Sequence, residues 1–174
     1  MIGSHSPLQK AHKLLFLFKI LRKAAIQVSS RLAMMKVHVI PMLQDNFSYL
    51  IVNKKNESVA IDPVEPEKLF SKLREENLQL KGVLITHHHE DHAGGNEKLL
   101  KTMEVPVWGG DERIPALSQR VKGDGDSISV LDGIEITALK TPCHTKGSIS
   151  YLVKDIESEA SKAAVFTGDT YVVY

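Results

Sequence analysis

The sequence predicts an α/β or α+β sandwich, and three observations favour this fold class. From residue 36 onward, short β-rich runs alternate with turn-forming residues, which is the pattern of a strand-dominated domain. One long amphipathic run at 65–80 interrupts this pattern and is typical of a helix. The continuous apolar run at 82–86 is typical of a strand buried on both faces. Strand, helix and strand followed by further antiparallel strands indicate a sandwich of this class.

The predicted elements can be justified in chain order. "KVHVIPM" at 36–42 and "FSYLIVN" at 47–53 are typical of two strands joined by the turn "LQDN". The helix at 65–80 begins with a proline and acidic residues in its first turn, which favours helix initiation. A shorter helix is expected around 96–103, after a pair of glycines. The remaining predicted strands are 58–62, 82–86, 105–110, 126–130, 134–140, 148–153 and 163–168.

The composition is that of one ordinary globular domain. Its 174 residues, with 43% apolar and 25% charged residues, suffice for a single core. The 22 Lys and Arg residues balance 21 Asp and Glu residues, so we expect no nucleic-acid partner. The longest apolar run near the start, 14–18, is far too short for a membrane span, so we expect no membrane partner. The single cysteine, Cys143, excludes an intrachain disulfide and favours a reducing compartment.

Residues 1–34 differ in charge from the rest of the chain. They contain no Asp or Glu, and their basic residues interleave with apolar residues at helical spacing. A basic, acid-free amphipathic start predicts a mitochondrial transit peptide and location in the mitochondrial matrix. A basic surface helix, or a leader that carries a cloning remnant in "GSHS", would have the same composition. A second translation start at Met34 or Met35 would give a cytosolic form.

The densest cluster of metal-ligand residue types is "THHHEDHAGG" at 86–95, directly after an apolar predicted strand. Imidazole and carboxylate groups suit Zn²⁺ and comparable metals. In an extended stretch His87 and His89 project to the same side and can bind one ion, whereas Asp91 and His92 can serve a second ion. Two ions about 3.5–4 Å apart are the usual arrangement for metal-assisted hydrolysis. A solvated histidine-rich loop or an adventitious metal patch is the alternative.

Two later segments offer further ligands. "TPCHT" supplies His144 and "VFTGDT" supplies Asp169, each on a loop that follows a predicted strand. Each is a weak indication alone, because His144 also fits a capped loop and Asp169 also fits a turn beside a glycine. Cys143 lies beside His144, but no Ser/Cys–His–Asp arrangement supports covalent catalysis. We therefore expect a packed thiol.

These motifs resemble the metallo-β-lactamase superfamily, and the sequence most resembles glyoxalase II, the hydroxyacylglutathione hydrolase. The similarity extends from about Met35 to Thr170 and includes "DNFSYLIV", "AIDPVEP" and "GGNEKL". It implies that residues 35–174 form a metallo-β-lactamase-type αββα sandwich, incomplete at the C-terminus. The implied metal ligands are His87, His89 and His144 for the first ion, Asp91 and His92 for the second, and Asp169 bridging both.

The resemblance also implies a mechanism. A thioester hydrolase of this kind releases a 2-hydroxy acid (D-lactate) and glutathione from S-2-hydroxyacylglutathione. Its cofactors would be two divalent ions, with Zn²⁺ expected and Fe or Mn accepted by the same ligands. Asp91 and Asp169 would position a metal-bound hydroxide, which exists near neutral pH because metal lowers the pKa of bound water to about 7. Asp62 would orient the ligand histidines, although an ordinary Asp-Pro turn is the alternative for this residue.

The chain departs from the family pattern at "GDTYVVY", after which the family continues with glutathione-binding residues, a further histidine and a helical domain. We therefore expect a second metal site weakened by truncation and an exposed sheet edge open to association. The family's substrate-binding positions lie beyond residue 174, and Lys146, Tyr151 and Tyr171 do not match them. Two alternatives stay open: a truncated metal-binding module with little or no turnover, and a mononuclear iron persulfide dioxygenase of the same fold.

Overall fold

The computed structural model describes residues 35–122, 124–158 and 162–170. The leader predicted for 1–34 lies outside these residues. Within the described ranges, no helix is long and apolar enough to cross a lipid bilayer.

The first sheet contains the strands β1 (Lys36–Met42), β2 (Asn46–Val52), β3 (Glu57–Ile61), β4 (Gln79–Leu84), β5 (Val107–Gly109) and β6 (Gln119–Arg120), in that spatial order. Short turns join β1, β2 and β3, so these strands pair antiparallel. From β3 to β6 the pairing is parallel, and the helix between β3 and β4 supplies the crossover that a parallel pair requires. The sequence gives no prediction of β6, because two residues carry no periodicity.

The second sheet contains the strands β7 (Asp126–Ile128), β8 (Ile134–Lys140), β9 (Ile149–Asp155) and β10 (Ala163–Phe166). Its spatial order is β10-β9-β8-β7, and every neighbouring pair is antiparallel. The predicted strands of this region are confirmed, with ends that differ by up to two residues.

In the part of the chain that the structure describes, three helices, α1 (Pro66–Glu75), α2 (Glu90–Ala93) and α3 (Asn96–Leu100), precede a 3₁₀ helix at Gly168–Thr170. The prediction that the first helix continues to residue 80 is wrong. Asn77 adopts a left-handed φ of 52°, and the Leu78 N–H donates to the Leu73 carbonyl at 2.8 Å. This is the hydrogen bond of a helix C-terminal cap, so the chain leaves the helix and enters β4 at Gln79.

Two apolar layers hold the fold together. Between the sheets lies a layer that includes the fully buried Leu84, Ile136 and Tyr151. On the opposite face of the first sheet, all three helices contribute to a second layer, for example through Leu69 and Leu99. Each buried leucine contributes roughly 1.5–3 kcal/mol through the area that it removes from water. The predicted sandwich class is therefore confirmed as two packed sheets, with helices on the outer face of the first.

Parallel pairing decides where the loops of the first sheet meet. β3 ends at Ile61 and β4 ends at Leu84, side by side in register. The Asp62 N–H continues the pairing by donating to the Leu84 carbonyl at 3.0 Å. The loops that follow both strands therefore begin side by side at the carboxyl ends of the strands, which is where such sheets place ligand sites.

Candidate metal centre

Four loops converge at the carboxyl ends of β3 and β4, and each loop follows a strand. Asp62 follows β3, and the 86–92 segment with its histidines follows β4. The loop 141–148 between β8 and β9 carries His144, and the 3₁₀ helix after β10 carries Asp169. The Ile149 N–H donates to the Thr86 carbonyl at 2.9 Å, which ties the second sheet to the histidine segment. Residues that are distant in sequence are thereby brought to one place.

Three histidines form the first ligand group. His89 Nδ1 lies 3.2 Å from His87 Nε2 and 3.0 Å from His144 Nε2. Two imidazole nitrogens bound to one tetrahedral zinc at 2.0–2.1 Å lie about 3.3 Å apart, so this spacing fits a shared ion. His87 is buried, whereas the side chain of His144 is 34% exposed. The donor set and its spacing suit zinc, with one side open to solvent.

A second ligand group adjoins the first. It comprises His87, His92 and Asp169, whose ligand atoms lie within 4.8 Å of one another. The carboxylate of Asp169 spans both groups, because its Oδ1 is 3.1 Å from His92 Nε2 and its Oδ2 is 3.6 Å from His144 Nε2. Asp91 Oδ2 lies 3.6 Å from His92 Nε2, at the edge of this group. All six predicted ligand residues are thus brought together, with His87 common to both groups.

Asp62 lies directly behind His92. Its Oδ2 is 2.9 Å from His92 Nδ1 and accepts the Thr86 hydroxyl at 2.6 Å, while its Oδ1 accepts the Thr86 N–H at 2.8 Å. The residue has a left-handed φ of 49°, a conformation that aspartate tolerates better than most residues. An acceptor at Nδ1 places the imidazole proton there and leaves the Nε2 lone pair for a metal.

Burial and neighbouring charges adjust the protonation of these ligands. Burial, reinforced by the neighbouring His92, lowers the pKa of His87 to about 4, so this imidazole is neutral near pH 7. Burial also lowers the pKa of His92, but the hydrogen bond and charge of Asp62 outweigh burial and raise it overall. Burial raises the pKa of Asp91, but the hydrogen bond from Asn46 and the charge of His92 lower it overall. Asp91 is therefore ionised, the form that binds a cation.

The sequence gives no prediction for two residues that hold the ligands. The Asn46 amide donates to Asp91 Oδ2 and to the Asp91 carbonyl, both at 3.1 Å, and lies 3.3 Å from His92 Nε2. Thr86 donates twice to Asp62 and thereby fixes its carboxylate. The segments "DNFSYLIV" and "THHHEDHAGG" contain both residues, but no local spacing distinguishes them from ordinary turn and strand positions.

His88 belongs to neither ligand group. Its Nδ1 is buried without a hydrogen-bond partner among the described residues and lies 3.6 Å from Asp111 Oδ2. The guanidinium of Arg113 hydrogen-bonds Asp111 at 2.6 and 3.0 Å, which lowers the pKa of that carboxyl to about 2. A Cβ added at Gly147 would lie 2.6 Å from Asp111 Oδ2. Asp111 therefore packs between the histidine segment and the loop that carries His144.

The expectation of a packed Cys143 thiol is wrong, because the residue is exposed. The same loop buries Thr145 and Ser148 instead, whose hydroxyls lie 2.9 Å apart. Because these hydroxyls pair with each other inside the loop, residues 142–144 lie on its exposed side, and His144 lies at the metal centre.

A hollow of about 470 Å³ opens beside the second ligand group. Its lining includes the polar residues Asp62, Asp91, His92 and Asp169 and the apolar residues Phe47 and Val165. Phe47 is 49% exposed and Val165 is 54% exposed. The hollow therefore offers both polar and apolar surface beside the second ligand group.

The Metallo-beta-lactamase superfamily profile matches residues 43–170. A cytoplasmic hydroxyacylglutathione hydrolase from Arabidopsis thaliana is 44% identical over 142 residues, covering 80% of this chain and 54% of that relative. A hydroxyacylglutathione hydrolase-like protein from Bos taurus is 40% identical over 136 residues, covering 77% of this chain and 69% of that relative. The chain spans about half the length of several curated relatives that it matches.

Solved structures confirm the predicted type of sandwich. ETHE1 from Myxococcus xanthus is similar with a TM-score of 0.64 and 29% identity, over 80% of this chain and 59% of that chain. The class B3 di-zinc metallo-beta-lactamase LRA-12 from an Alaskan soil metagenome has a TM-score of 0.67 at 20% identity, over 80% of this chain and 62% of that chain. This likeness concerns the fold alone. The family match and the clustered histidines together indicate that the chain binds divalent metal. This chain belongs to the metallo-beta-lactamase superfamily, and its curated relatives at 35–44% identity are named hydroxyacylglutathione hydrolases or hydroxyacylglutathione hydrolase-like proteins.

Proposed function

We propose that this chain is a metal-dependent thioester hydrolase that cleaves S-2-hydroxyacylglutathione to a 2-hydroxy acid and glutathione. The observation that carries the proposal is the pair of adjoining ligand groups that share His87, with Asp169 spanning both. Relatives at up to 44% identity named for this hydrolysis support the choice of substrate.

We further propose Zn²⁺ as the metal, with Fe or Mn as substitutes. When bound, divalent ions lower the pKa of coordinated water to about 7 and polarise an acyl carbonyl. Zinc suits the three-histidine group, because Zn–N bonds of 2.0–2.1 Å match the spacing of its nitrogens.

The side chains of this centre have separate tasks in the proposed reaction. Hydrolysis joins the oxygen of water to the acyl carbon, breaks the C–S bond and transfers a proton to the departing sulfur. Asp91 and Asp169 carry carboxylate oxygens that can accept hydrogen bonds from the attacking water and orient it. Asp62 keeps the proton of His92 on Nδ1, so that Nε2 stays free for metal. No serine or cysteine nucleophile is required.

The test is hydrolysis of S-lactoylglutathione by the purified 174-residue chain, with zinc, iron or manganese added separately. We expect metal-dependent release of glutathione that disappears in His89→Ala, because His89 contacts both other histidines of its group. His38→Gln is the matched control, since His38 lies outside both groups beside Glu76. A folded, metal-loaded chain without turnover would contradict the proposal and leave a metal-binding module.

A mononuclear iron persulfide dioxygenase is the second candidate. His87, His92 and Asp169 form a set of two histidines and one carboxylate, which is the ligand type of many non-haem iron oxygenases. Metal analysis of the chain purified without added metal separates the candidates. One iron per chain with oxygen consumption would favour the dioxygenase, and two zinc-class ions would favour the hydrolase.

We also propose that residues 1–34 direct the chain to the mitochondrial matrix, with a cytosolic form that starts at Met34 or Met35. The support is the composition of this segment, which has basic and apolar residues but no acidic ones. Fusing residues 1–34 to a fluorescent protein tests the proposal. Diffuse cytosolic fluorescence of the fusion would refute it.

A further inference from the structure

A cavity separate from the hollow beside the second ligand group is lined by basic side chains. Its volume is about 380 Å³, and its walls include Arg120, Lys122, Lys140 and Lys146. They come from three segments: β6 with the residues after it, the end of β8, and the loop that carries His144. Among the described residues, no Asp or Glu lines this space, which we name the basic cavity.

Most of the basic side chains that line the basic cavity form no ion pair with another described residue. Arg120 forms an ion pair with Glu112, but Lys122, Lys140 and Lys146 have no ion pair within the described part of the chain. Asp126 and Asp124 accept the backbone N–H groups of Lys122 and Lys140, at 2.8 and 2.9 Å. These carboxylates therefore hold the backbone of the cavity wall and do not line the cavity.

Backbone groups form part of the wall. A Cβ added at Gly110 would lie 2.7 Å from the Gly147 carbonyl, so both segments approach closely only because the position lacks a side chain. Across residues 35–122, 124–158 and 162–170, the N–H groups of Lys146 and Gly147 have no hydrogen-bond partner. Successive free N–H groups in a turn are a recurrent feature of anion sites.

We propose that the basic cavity binds a small multivalent oxyanion, a molecule that carries phosphate or carboxylate groups. Three ammonium groups that have no ion pair in the described residues, and two backbone N–H groups, can donate charge-assisted hydrogen bonds to such a ligand. A cavity of about 380 Å³ is the size of a small-molecule site, which favours a small ligand. In the absence of metal, the carboxyl groups of Asp62, Asp91 and Asp169 disfavour an anionic ligand at the metal centre.

The experiment titrates the full 174-residue chain, prepared without added metal, with inorganic phosphate and separately with succinate, at low salt. Amide NMR signals report the location: Gly147 lies at the basic cavity and Asn46 at the metal centre. We expect saturable shifts at Gly147 and none at Asn46. Shifts with phosphate alone would identify a phosphate ligand, and shifts with succinate alone would identify a dicarboxylate.

Paired charge variants decide whether the site is local. Lys140→Gln with Lys146→Gln removes two cavity charges and should weaken binding roughly tenfold or more, since hydrogen bonds to charged groups are worth about 1.5–3 kcal/mol. Lys101→Gln with Lys154→Gln removes two exposed lysines elsewhere that also have no ion pair in the described ranges. The control pair should leave affinity nearly unchanged. Equal weakening by both pairs, or no saturable shift at Gly147 with either anion, would overturn the proposal.

Discussion

Replacing Asp62 by Asn tests whether this residue fixes the tautomer of His92. The carboxylate accepts the Thr86 N–H and hydroxyl at 2.8 and 2.6 Å, and it lies 2.9 Å from His92 Nδ1. Asparagine has the same shape and also tolerates the left-handed φ of 49°. The substitution therefore exchanges one acceptor oxygen for an NH₂ donor and leaves the backbone unstrained.

Both orientations of the new amide conflict with a buried donor. If NH₂ faces Thr86 N–H, that buried group loses its acceptor at a cost of about 1–3 kcal/mol. If NH₂ takes the place of Oδ2, it faces both His92 Nδ1 and the Thr86 hydroxyl. The hydroxyl can rotate to accept one N–H, while the other N–H donates to Nδ1 and the imidazole proton moves to Nε2, where it blocks metal. We expect the second orientation, because a tautomer change costs less than an unpaired N–H. The second ligand group should then bind zinc roughly 10–100-fold more weakly, which is about 1.4–2.7 kcal/mol.

The assay is a zinc titration against a chromophoric chelator, which resolves a tight and a weak ion per chain. Only the weaker ion should lose affinity, since the three-histidine group does not contact Asp62 in the described structure. Asp155→Asn is the matched control, because Asp155 is 2% exposed but hydrogen-bonds Glu157 N–H and Ser158 N–H instead. Wild-type affinity for both ions in Asp62→Asn would refute the tautomer argument.

Three further predictions concern stability and site geometry. In the metal-free chain, the contribution of His87 should lower the free energy of unfolding by about 3 kcal/mol as pH falls from 6.5 to 4, because the unfolded chain takes up the proton first. Urea unfolding of the wild type and of His87→Gln across this pH range measures the difference, and identical pH profiles would contradict it. Gly168→Ala should destabilise the chain and weaken metal binding, because Gly168 has a φ of 50° and a Cβ there would lie 2.4 Å from the Thr86 hydroxyl oxygen. An unchanged melting temperature and zinc affinity would count against this prediction. Tyr151→Phe removes a 2.8 Å hydrogen bond to the Ile85 carbonyl and should cost about 1 kcal/mol in urea unfolding, whereas a gain in stability would show that the hydroxyl is dispensable.

Local sequence patterns predict most of the strands, because alternation and apolar runs reflect burial that each strand meets in the sheet. The end of α1 is less accessible to such reasoning. Leu78 and Leu80 continue an apolar pattern, yet the left-handed Asn77 ends the helix and Gln79 pairs with Glu57 of β3. Tertiary pairing therefore outweighs helical periodicity at this boundary. The strand β6 has two residues, which are too few for hydrophobic periodicity to indicate a strand.

The exposed Cys143 illustrates a second limit of sequence reasoning. Its neighbours Thr145 and Ser148 are buried although they are polar, because they satisfy each other within the loop. Hydrophobicity alone assigns the opposite burial to these three positions. The role of Asn46 is likewise invisible in sequence, since its contact with Asp91 spans 45 positions.

The sequence by itself determined the ligand types, their order along the chain and the sandwich class, because side-chain chemistry and strand periodicity are local properties. Only the tertiary structure decided that His87 is common to two ligand groups, and that His89 presents Nδ1 to a histidine 55 positions away. It also decided that Asp62 lies behind His92 and that lysines from three segments line one cavity. The physical reason is that parallel pairing and sheet packing set which loops meet, and these depend on burial across the whole chain.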